Sequence, residues 1–392
     1  MARRVVITSI GIVSPLGIGT AETDRALREA RDCIQPVTSF DVSKCRSKTA
    51  GHAPAIPGHD PRLHPASHMM IAAALQTRHA DPHFTPELAV IGTTSGGMSH
   101  GEHYYRTQAR RHPHHLSMLA EYPAQTPVLH ALRALHTAAP AQIIANACAS
   151  GTNAIGHAFH LIRSGLHTTV LAGGYDTLSE LVFVGFDSLQ ASTTDKIRPF
   201  CQTRTGLVLG EGAALLTLEE HTSAQHRNAP ILAELIGYGI STDNHHLTQP
   251  NPNGIGPHTA MTRALADARL TPPHIHYINA HGTATHFNDS SEGLAIHNLF
   301  GPRIPVSSTK SMTGHTLGAA GAIEAIISIL AIRGQYLPPN INYQHPDPAF
   351  DLNIIANTPQ NATLHTVLSN SFGFGGTNAT IILQAYNPTD HH

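Results

Sequence analysis

Apolar residues along this chain occur in short runs that end in glycine, and a polar turn follows each run. Val5 to Val13 begins the series, and Glu87 to Ile91 is a second run that ends in Gly92-Thr93-Thr94. Short runs of this kind, bounded by glycine turns, are typical of buried strands. Helical stretches rich in alanine and glycine separate several of the runs. Strands that alternate with helices favour an α/β fold with largely parallel, buried sheets.

The same order of elements occurs twice, which predicts a duplicated architecture. Each half has a strand ending in Gly-Thr, a strand that turns into a small-residue helix, a third strand, and a last strand after a glycine turn. These elements are predicted at residues 87–91, 143–163, 170–174 and 214–218, and again at 276–280, 306–332, 367–370 and 379–384. We therefore predict an N-terminal half at residues 1–225, with an insert at about residues 95–140, and a C-terminal half at residues 226–392.

Composition narrows the classes of partner and location. The 392 residues carry a formal net charge of −2, which gives no electrostatic reason to expect nucleic acid or a membrane as a partner. Four cysteines in so long a chain do not suggest a disulfide framework, so a reducing, cytoplasmic location is expected. The apolar run Ala322 to Ile332 contains Glu324 and is shorter than the roughly 20 residues that a bilayer requires, so no membrane span is predicted.

Histidine is the one residue type that invites a metal interpretation. The chain has 31 histidines, and some are clustered, at residues 112–115 and 245–246. Structural zinc sites mix cysteine and histidine at regular short spacings, and no such spacing occurs here. We predict no metal site and interpret most of these histidines as neutral surface residues.

The stretch from Ile143 to Asn153 carries the first candidate for chemistry. Two β-branched residues end a predicted strand, small residues turn the chain, and a helix is predicted from Ala154 to Arg163. Cys148 lies at the turn, where backbone N–H groups and the helix dipole favour a thiolate and small neighbours let a substrate approach. A buried structural cysteine is the alternative at this point.

Two histidines occupy corresponding turns in the second half. His281 follows a predicted strand and precedes Gly282, so its ring projects from a tight turn. His315 follows Gly314 and is predicted to begin a helix. In doubly wound sheets such strand ends converge on a shared crevice. Two histidines opposite a cysteine favour a catalytic site over three separate structural residues.

Four motifs, in this order, resemble those of the β-ketoacyl-acyl carrier protein synthases. They are N-A-C-A-S-G, N-A-H-G-T-A-T, S-S-T-K-S-M-T-G-H-T-L-G-A-A-G-A-I-E-A-I and N-S-F-G-F-G-G-T-N. The resemblance runs from Val5 to Gln384. It implies a thiolase fold, with two similar halves in a five-layered αβαβα arrangement, usually as a dimer. That expectation agrees with the repeat.

The resemblance also implies a reaction, a decarboxylative Claisen condensation. Cys148 would hold an acyl chain, and His281 and His315 would donate N–H bonds to the enolate formed from malonyl-acyl carrier protein. The backbone N–H groups of Cys148 and Phe374 would form the oxyanion hole, with Phe374 also a gate over the acyl pocket. No cofactor is implied, because the phosphopantetheine arm enters on the acyl carrier protein.

Further residues match family positions. Lys310 and Glu324 match positions with a role in orienting His315 and its polar surroundings, although a surface lysine and an isolated carboxylate are the alternatives. Thr283 and Thr285 resemble threonines that hydrogen-bond the phosphopantetheine arm, and simple turn hydroxyls are the alternative. Asp243 matches a loop near that site and is a weaker candidate.

Several departures bear on the partner. Gln190 stands where an elongating enzyme often has a basic residue, and Thr205 replaces a common Asp or Asn. Residues 60–75 lack the lysines that often meet the carrier protein, although Arg62 remains, and Arg110 and Arg111 are weak candidates for that contact. We expect recognition of a dedicated carrier protein, in type II polyketide (polyene-like) or specialised fatty-acid biosynthesis.

Two other functions compete with this one. A non-catalytic scaffold of the chain-length-factor kind would shape the acyl tunnel of a ketosynthase partner, but chain-length factors have lost the cysteine that this chain retains. A biosynthetic thiolase would need a second cysteine near the glycine-rich end, and residues 370–378 contain none. The chain is therefore predicted to be a catalytic member, in a homodimer or in a heterodimer with a ketosynthase-like paralogue.

Overall fold

A computed structural model describes residues 3–58, 60, 62–109 and 116–388. Its strands are β1 (Val5–Ser14), β2 (Gly17–Ile18), β3 (Ile34–Pro36), β4 (Thr49–Gly51), β5 (Leu88–Gly92), β6 (Ala141–Ile144), β7 (Thr169–Asp176), β8 (Gly212–Glu220), β9 (Ala233–Thr242), β10 (Tyr277–Asn279), β11 (Pro305–Ser307), β12 (Tyr336–Leu337), β13 (Asn353–Ile354), β14 (Gln360–Asn361), β15 (Thr366–Gly373) and β16 (Thr377–Gln384). Its α-helices are α1 (Thr20–Arg28), α2 (Pro65–Ala80), α3 (Met98–Ala109), α4 (Leu116–Glu121), α5 (Thr126–Ala134), α6 (Ser150–Arg163), α7 (Glu180–Ser188), α8 (His221–His226), α9 (Ile255–Ala268), α10 (His286–Phe300), α11 (Lys310–Thr313) and α12 (Ala320–Gly334).

Two half-sheets with the same order and direction of strands make up the main sheet. In the first, β6-β5-β7-β8-β1, the strands β6, β5 and β7 are parallel and β8 is antiparallel to both neighbours. The second, β11-β10-β15-β16-β9, repeats that pattern. A short pairing of β1 with β9, from Val5–Leu235 to Ile7–Ala233, joins the two. The two similar halves predicted from the sequence are confirmed.

Helices and half-sheets alternate in five layers. Helices α2 and α5 cover the outer face of the first half-sheet, and α9 and α10 cover the outer face of the second. Between the half-sheets lie α6, which contacts β5 and β7, and α12, which contacts β15 and β8. Every residue of β1 and β5 is buried, because helices cover both faces of these strands. That burial explains why the strands are continuous apolar runs rather than alternating ones.

Glycines allow the two central helices to pack closely. A Cβ atom at Gly151 of α6 would lie 2.6 Å from the carbonyl oxygen of Gly318, and one at Gly321 of α12 would lie 2.0 Å from Oγ1 of Thr152. Both distances are far inside van der Waals contact, so no larger residue fits without moving the backbone. The crossing holds the start of α6 against the segment that precedes α12.

Two details of the predicted elements are wrong. Helix α6 begins at Ser150 rather than Ala154, so it starts two residues after Cys148. His315 does not begin a helix: its N–H donates to the carbonyl of Val208 at 2.7 Å in a bridge between segments, and α12 starts only at Ala320. Within the insert predicted at residues 95–140, helix α5 packs on α2 with its apolar face buried.

One apolar helix is long enough to cross a membrane by length and composition. Within the described residues, the segment Leu317–Gly334 meets that test, with a mean hydropathy of 1.6, and 83% of it is buried inside the protein. This segment is longer than the apolar run at residues 322–332, which the sequence analysis judged too short to cross a bilayer. Its contacts with both half-sheets account for its apolar composition.

Candidate active site

Cys148 lies on a sharp turn between β6 and α6. Ala147 adopts a left-handed conformation with φ of 57°, which costs a residue with a Cβ atom about 1–2 kcal/mol. Hydrogen bonds stabilise this conformation: the N–H of Asn146 donates to Oγ of Ser150 at 2.9 Å, and Oγ of Ser150 donates to the carbonyl of Ala147. Only 5% of Cys148 is exposed. The turn therefore presents the thiol at the bottom of a crevice.

At Cys148 burial outweighs the helix N-terminus and favours the protonated thiol. Burial raises the pKa of Cys148 to about 12. The charge of Lys310 and the backbone N–H groups of Phe374 and Cys148 lower this pKa, but they do not offset the loss of solvent. Formation of a thiolate at Cys148 therefore requires a group that accepts the proton, either in the pocket or on the substrate.

His281 and His315 lie together as neutral imidazoles. Their ring centroids are 5.2 Å apart and the rings are nearly perpendicular, at 88°. Burial lowers the pKa of both side chains well below the usual value, and the nearby charge of Lys310 lowers it further. Nδ1 of His281 and both ring nitrogens of His315 have no hydrogen-bond partner among the described residues. These nitrogens are therefore available to a bound molecule.

Glu292 holds the turn that carries His281, and the sequence reasoning missed it. Its carboxylate accepts the backbone N–H of His281 and of Gly282, each at 2.8 Å, and Nδ2 of Asn370 at 3.1 Å. Burial raises the pKa of Glu292 to about 7. A glutamate among small residues, in the stretch Ser290-Ser291-Glu292-Gly293, is the sequence signal that could have identified it.

Phe374 contributes both backbone and ring to the crevice. Its N–H is one of the groups that lower the pKa of Cys148, so this N–H lies close to the sulfur. The following Gly375 has a φ of 82°, a conformation that glycine adopts readily. The ring of Phe374 stacks on Phe186, with centroids 5.3 Å apart and planes 24° from parallel. Phe186, at the end of α7, was not among the predicted site residues.

Lys310 and Glu324 form a buried ion pair behind the histidines. Nζ of Lys310 donates to Oε1 of Glu324, and both side chains are almost fully buried. Burial raises the pKa of Glu324, while the charge of Lys310 opposes the rise. Since Lys310 also acts on the pKa values of Cys148, His281 and His315, its ammonium is the positive charge that all three share.

Thr283, Thr285 and Asp243 line the entrance to the crevice. The two threonine hydroxyls are hydrogen-bonded to each other at 2.9 Å, and Thr285 also caps α10. The carboxylate of Asp243 accepts the N–H of Asn251 at 2.8 Å and Nδ2 of Asn378 at 2.9 Å. All three predicted residues are thus held in place by their own hydrogen bonds.

A single pocket brings most of these residues together. Its lining has apolar and neutral polar side chains with one carboxylate, that of Asp243, and includes Cys148, His281, His315, Phe374, Thr283, Thr285, Phe186, Leu189, Gln190, Thr205, His286 and Phe287. Lys310 and Glu324 lie outside it. Arg62 is also outside it and pairs with Asp60 at 2.7 Å. Arg110 and Arg111 lie outside the described residues.

Asp176 is a second buried carboxylate that the sequence reasoning missed. From the end of β7 it accepts the N–H groups of Thr94 at 2.8 Å, Ser95 at 2.9 Å and Gly318 at 2.6 Å. Oγ1 of Thr94 in turn donates to the carbonyl of Ala147 at 3.2 Å. Asp176 therefore ties the cysteine turn to the segment between His315 and α12.

Metal binding is not indicated by the side chains that can be placed. Within residues 3–58, 60, 62–109 and 116–388, no group of three or more His, Cys, Asp or Glu side chains could hold a metal ion.

Comparisons with known proteins give one consistent family. Two family models match, "Beta-ketoacyl synthase, N-terminal domain" at residues 2–224 and "Beta-ketoacyl synthase, C-terminal domain" at residues 232–344. A curated relative, 3-oxoacyl-(acyl-carrier-protein) synthase 2 of Coxiella burnetii, is 37% identical over 406 residues, which cover 97% of this chain and 98% of the relative.

Solved structures agree with the family match over the whole chain. The ishigamide ketosynthase/chain length factor superposes with a TM-score of 0.93 and 32% identity, covering 99% of this chain and 100% of that one. A type II polyketide synthase acyl-carrier protein in complex with its ketosynthase bound to the hexaketide gives a TM-score of 0.89 and 28% identity, covering 98% and 100%.

Proposed function

The chain belongs to the β-ketoacyl synthase family of acyltransferases, and on that premise we propose that it condenses malonyl-acyl carrier protein with an acyl chain held on Cys148. The reaction releases CO2 and gives 3-oxoacyl-acyl carrier protein. The observation that carries this proposal is the convergence, in one pocket, of one thiol and two neutral imidazoles whose nitrogens include three without a hydrogen-bond partner among the described residues. We infer a role in type II polyketide or specialised fatty-acid biosynthesis.

The first step is acyl transfer to Cys148. The sulfur attacks the carbonyl carbon of an acyl-carrier thioester, a new C–S bond forms, and the carrier thiol leaves with the proton. Since the resting thiol is protonated, an unpartnered nitrogen of His281 or His315 is the base within the same pocket. The N–H groups of Cys148 and Phe374, which act on the sulfur's charge, are proposed to stabilise the carbonyl oxygen.

The second step needs donors for a developing enolate. Loss of CO2 from the malonyl group leaves its electron pair on the thioester enolate, which attacks the acyl carbon as the bond to Cys148 breaks. The released sulfur takes up one proton from water, which restores the thiol. His281 and His315 remain neutral because of burial, so each can donate one N–H to the enolate oxygen. Lys310, paired with Glu324, is proposed to stabilise these neutral forms and orient His315.

The thioester must reach the thiol through the pocket entrance. We propose that Thr283 and Thr285 hydrogen-bond the phosphopantetheine arm of the carrier protein, with Asp243 holding the neighbouring loop. Apart from Asp243, the side chains that line the pocket are apolar or uncharged, which suits an uncharged amide-containing arm. The reaction proposed here uses no cofactor held by this chain.

The chain is proposed to act as the catalytic subunit of a dimer, divided near residue 225 into two halves. Its partner would be a second copy or a ketosynthase-like paralogue without the cysteine. The retained Cys148 argues against the non-catalytic scaffold. Expression of the chain alone and together with candidate paralogues, followed by measurement of mass and activity, distinguishes the two assemblies.

Labelling and turnover of variants test the proposed roles. We expect Cys148→Ala to abolish covalent acylation, as measured by intact-protein mass spectrometry, because the acceptor atom is gone. We expect His281→Ala and His315→Ala to retain more acylation than condensation, since their donors act mainly on the enolate. A wild-type protein that is never acylated would support the scaffold, and an undiminished condensation rate in either histidine variant would refute its assigned role.

A further inference from the structure

Asp176 is a buried carboxylate near Cys148 to which the proposed reaction gives no part. Its side chain lies at the end of β7 with 0% of the residue exposed, and it is not among the residues that line the pocket. Burial raises the pKa of Cys148, and the charge of Asp176 raises it further. This carboxylate therefore opposes formation of a thiolate, so activation of the thiol does not explain its position.

Five donors surround the carboxylate, and they come from both halves of the protein. In the N-terminal half, Oδ1 accepts the hydroxyl of Thr93 at 2.9 Å and the N–H and hydroxyl of Ser95 at 2.9 Å and 2.7 Å. Oδ2 accepts the N–H of Thr94 at 2.8 Å. From the C-terminal half, the N–H of Gly318 donates to Oδ2 at 2.6 Å. Asp176 therefore joins the two halves.

The backbones around Asp176 are in direct contact. A Cβ atom at Gly318 would lie 2.7 Å from Oδ2 of Asp176. A Cβ atom at Gly174 would lie 2.6 Å from the carbonyl oxygen of Gly318 and 3.2 Å from Cα of Gly151, which belongs to α6. Since the segments are packed this closely, any group that replaces the carboxylate has to fit the same small space.

A strained residue lies close to each reactive side chain. Ala147, directly before Cys148, has a φ of 57°. Leu317, two residues after His315, has a φ of 53°. A residue with a Cβ atom adopts this left-handed conformation at a cost in free energy, and the conformation persists only where surrounding contacts hold it. Both turns therefore depend on their neighbours for their shape.

Asp176 is connected to both strained positions, each through one residue. Thr94, whose N–H it accepts, donates its hydroxyl to the carbonyl of Ala147 at 3.2 Å. Gly318, whose N–H it also accepts, directly follows Leu317. One carboxylate thus opposes relaxation of both turns, and its removal would let them move relative to each other.

We propose that Asp176 is a positioning residue that holds the turn of Cys148 and the segment of His315 at the separation that condensation requires. This proposal rests on the proposed function, because condensation uses the acyl-cysteine and the histidine donors at the same moment. Decarboxylation alone uses only the histidines. With no acyl chain on Cys148, a malonyl thioester that loses CO2 there forms an enolate, which takes a proton from water and gives an acetyl thioester.

Asp176→Asn tests the proposal, because it keeps the size of the side chain but turns an NH2 group towards at least two of the five donors. The substrates are octanoyl- and malonyl-loaded acyl-carrier protein, and mass spectrometry follows the carrier-bound products. We expect kcat for condensation to fall about tenfold or more, with KM for the malonyl carrier within about twofold. Decarboxylation by protein without an acyl chain should stay within about threefold of wild type.

The ratio of condensation to decarboxylation separates positioning from a general loss of stability. A variant that is only partly folded loses both reactions by the same factor, so its ratio stays at the wild-type value. Asp81→Asn is the matched control: this buried carboxylate pairs with Arg227 at 2.6 Å and does not line the pocket. It should lower stability in chemical denaturation and leave the ratio unchanged.

Thr94→Val is a milder second variant that decides the question if Asp176→Asn does not fold. It removes the hydroxyl that links Asp176 to the carbonyl of Ala147 and keeps the shape of the side chain. We expect condensation to fall about threefold, the effect of one hydrogen bond, with decarboxylation unchanged. A wild-type ratio in these variants overturns the positioning role. A wild type that neither condenses nor decarboxylates instead overturns the proposed function.

Discussion

At the scale of single residues, burial decides which groups are charged. The thiol of Cys148 is protonated and the imidazoles of His281 and His315 are neutral, all because the site excludes water. Neutral imidazoles can donate one N–H each and accept a proton at the other nitrogen. The same burial leaves Glu292 with a pKa near neutrality, which makes its charge sensitive to pH.

Substituting Glu292 tests how far a positioning residue controls the reaction. Its carboxylate accepts two backbone N–H groups, whereas a glutamine would place an NH2 group against one of them. We expect Glu292→Gln to lower the condensation rate by about tenfold or more, since small displacements of a catalytic group are costly. Acylation of Cys148 should remain, and Glu87→Gln at the surface should change neither step.

The pH profile separates this role from a purely structural one. Because burial raises the pKa of Glu292 to about 7, protonation below that pH removes an acceptor from the turn of His281. The wild type should therefore lose condensation rate as pH falls through about 7, and Glu292→Gln should lack this limb. Parallel profiles for the two proteins would contradict a role for the carboxylate.

At the scale of elements, the crossing of α6 and α12 is a close contact between the halves. We expect Gly321→Ala to destabilise the protein by about 1–3 kcal/mol, because the added methyl meets Thr152 at 2.0 Å with no space to accept it. Chemical denaturation measures the change. Gly185→Ala is the matched control: its Cβ would meet nothing within 4 Å in α7, so stability should be kept or rise by up to about 1 kcal/mol.

At the scale of the whole molecule, a buried histidine cluster couples the insert to the core. Nδ1 of His64 accepts the N–H of Ala66, so its Nε2–H donates to Ser99 at 2.7 Å. The groups that face it are His68, His100 and Glu121, which in turn binds His130 at 2.9 Å. Burial lowers the pKa of His64 to about 3.

This cluster predicts a loss of stability in acid. The unfolded chain protonates His64 near pH 6.5 and the folded chain only near pH 3, so the free energy of unfolding falls as pH decreases between those values, by about 1.4 kcal/mol per pH unit. Denaturation at pH 7.5 and pH 5 measures the effect. His64→Gln should show a smaller loss, and His226→Gln, an exposed histidine, should match the wild type.

Local sequence patterns were sufficient for several features of this protein. Apolar runs with glycine turns predicted the buried strands and the repeat, because a strand that is buried on both faces is apolar at nearly every position. Cys148 and His281 could be placed at one crevice as well, since each follows a strand within a few residues and strand ends converge in such folds. His315 lies farther from its strand, because α11 separates it from β11.

Other features of the candidate site depend on the tertiary structure alone. Asp176 and Phe186 act through partners distant in sequence, so local patterns did not reveal them. The helix N-terminus that favours a thiolate at Cys148 is visible in the sequence, whereas the loss of solvent that raises the pKa of this thiol depends on every layer packed over it.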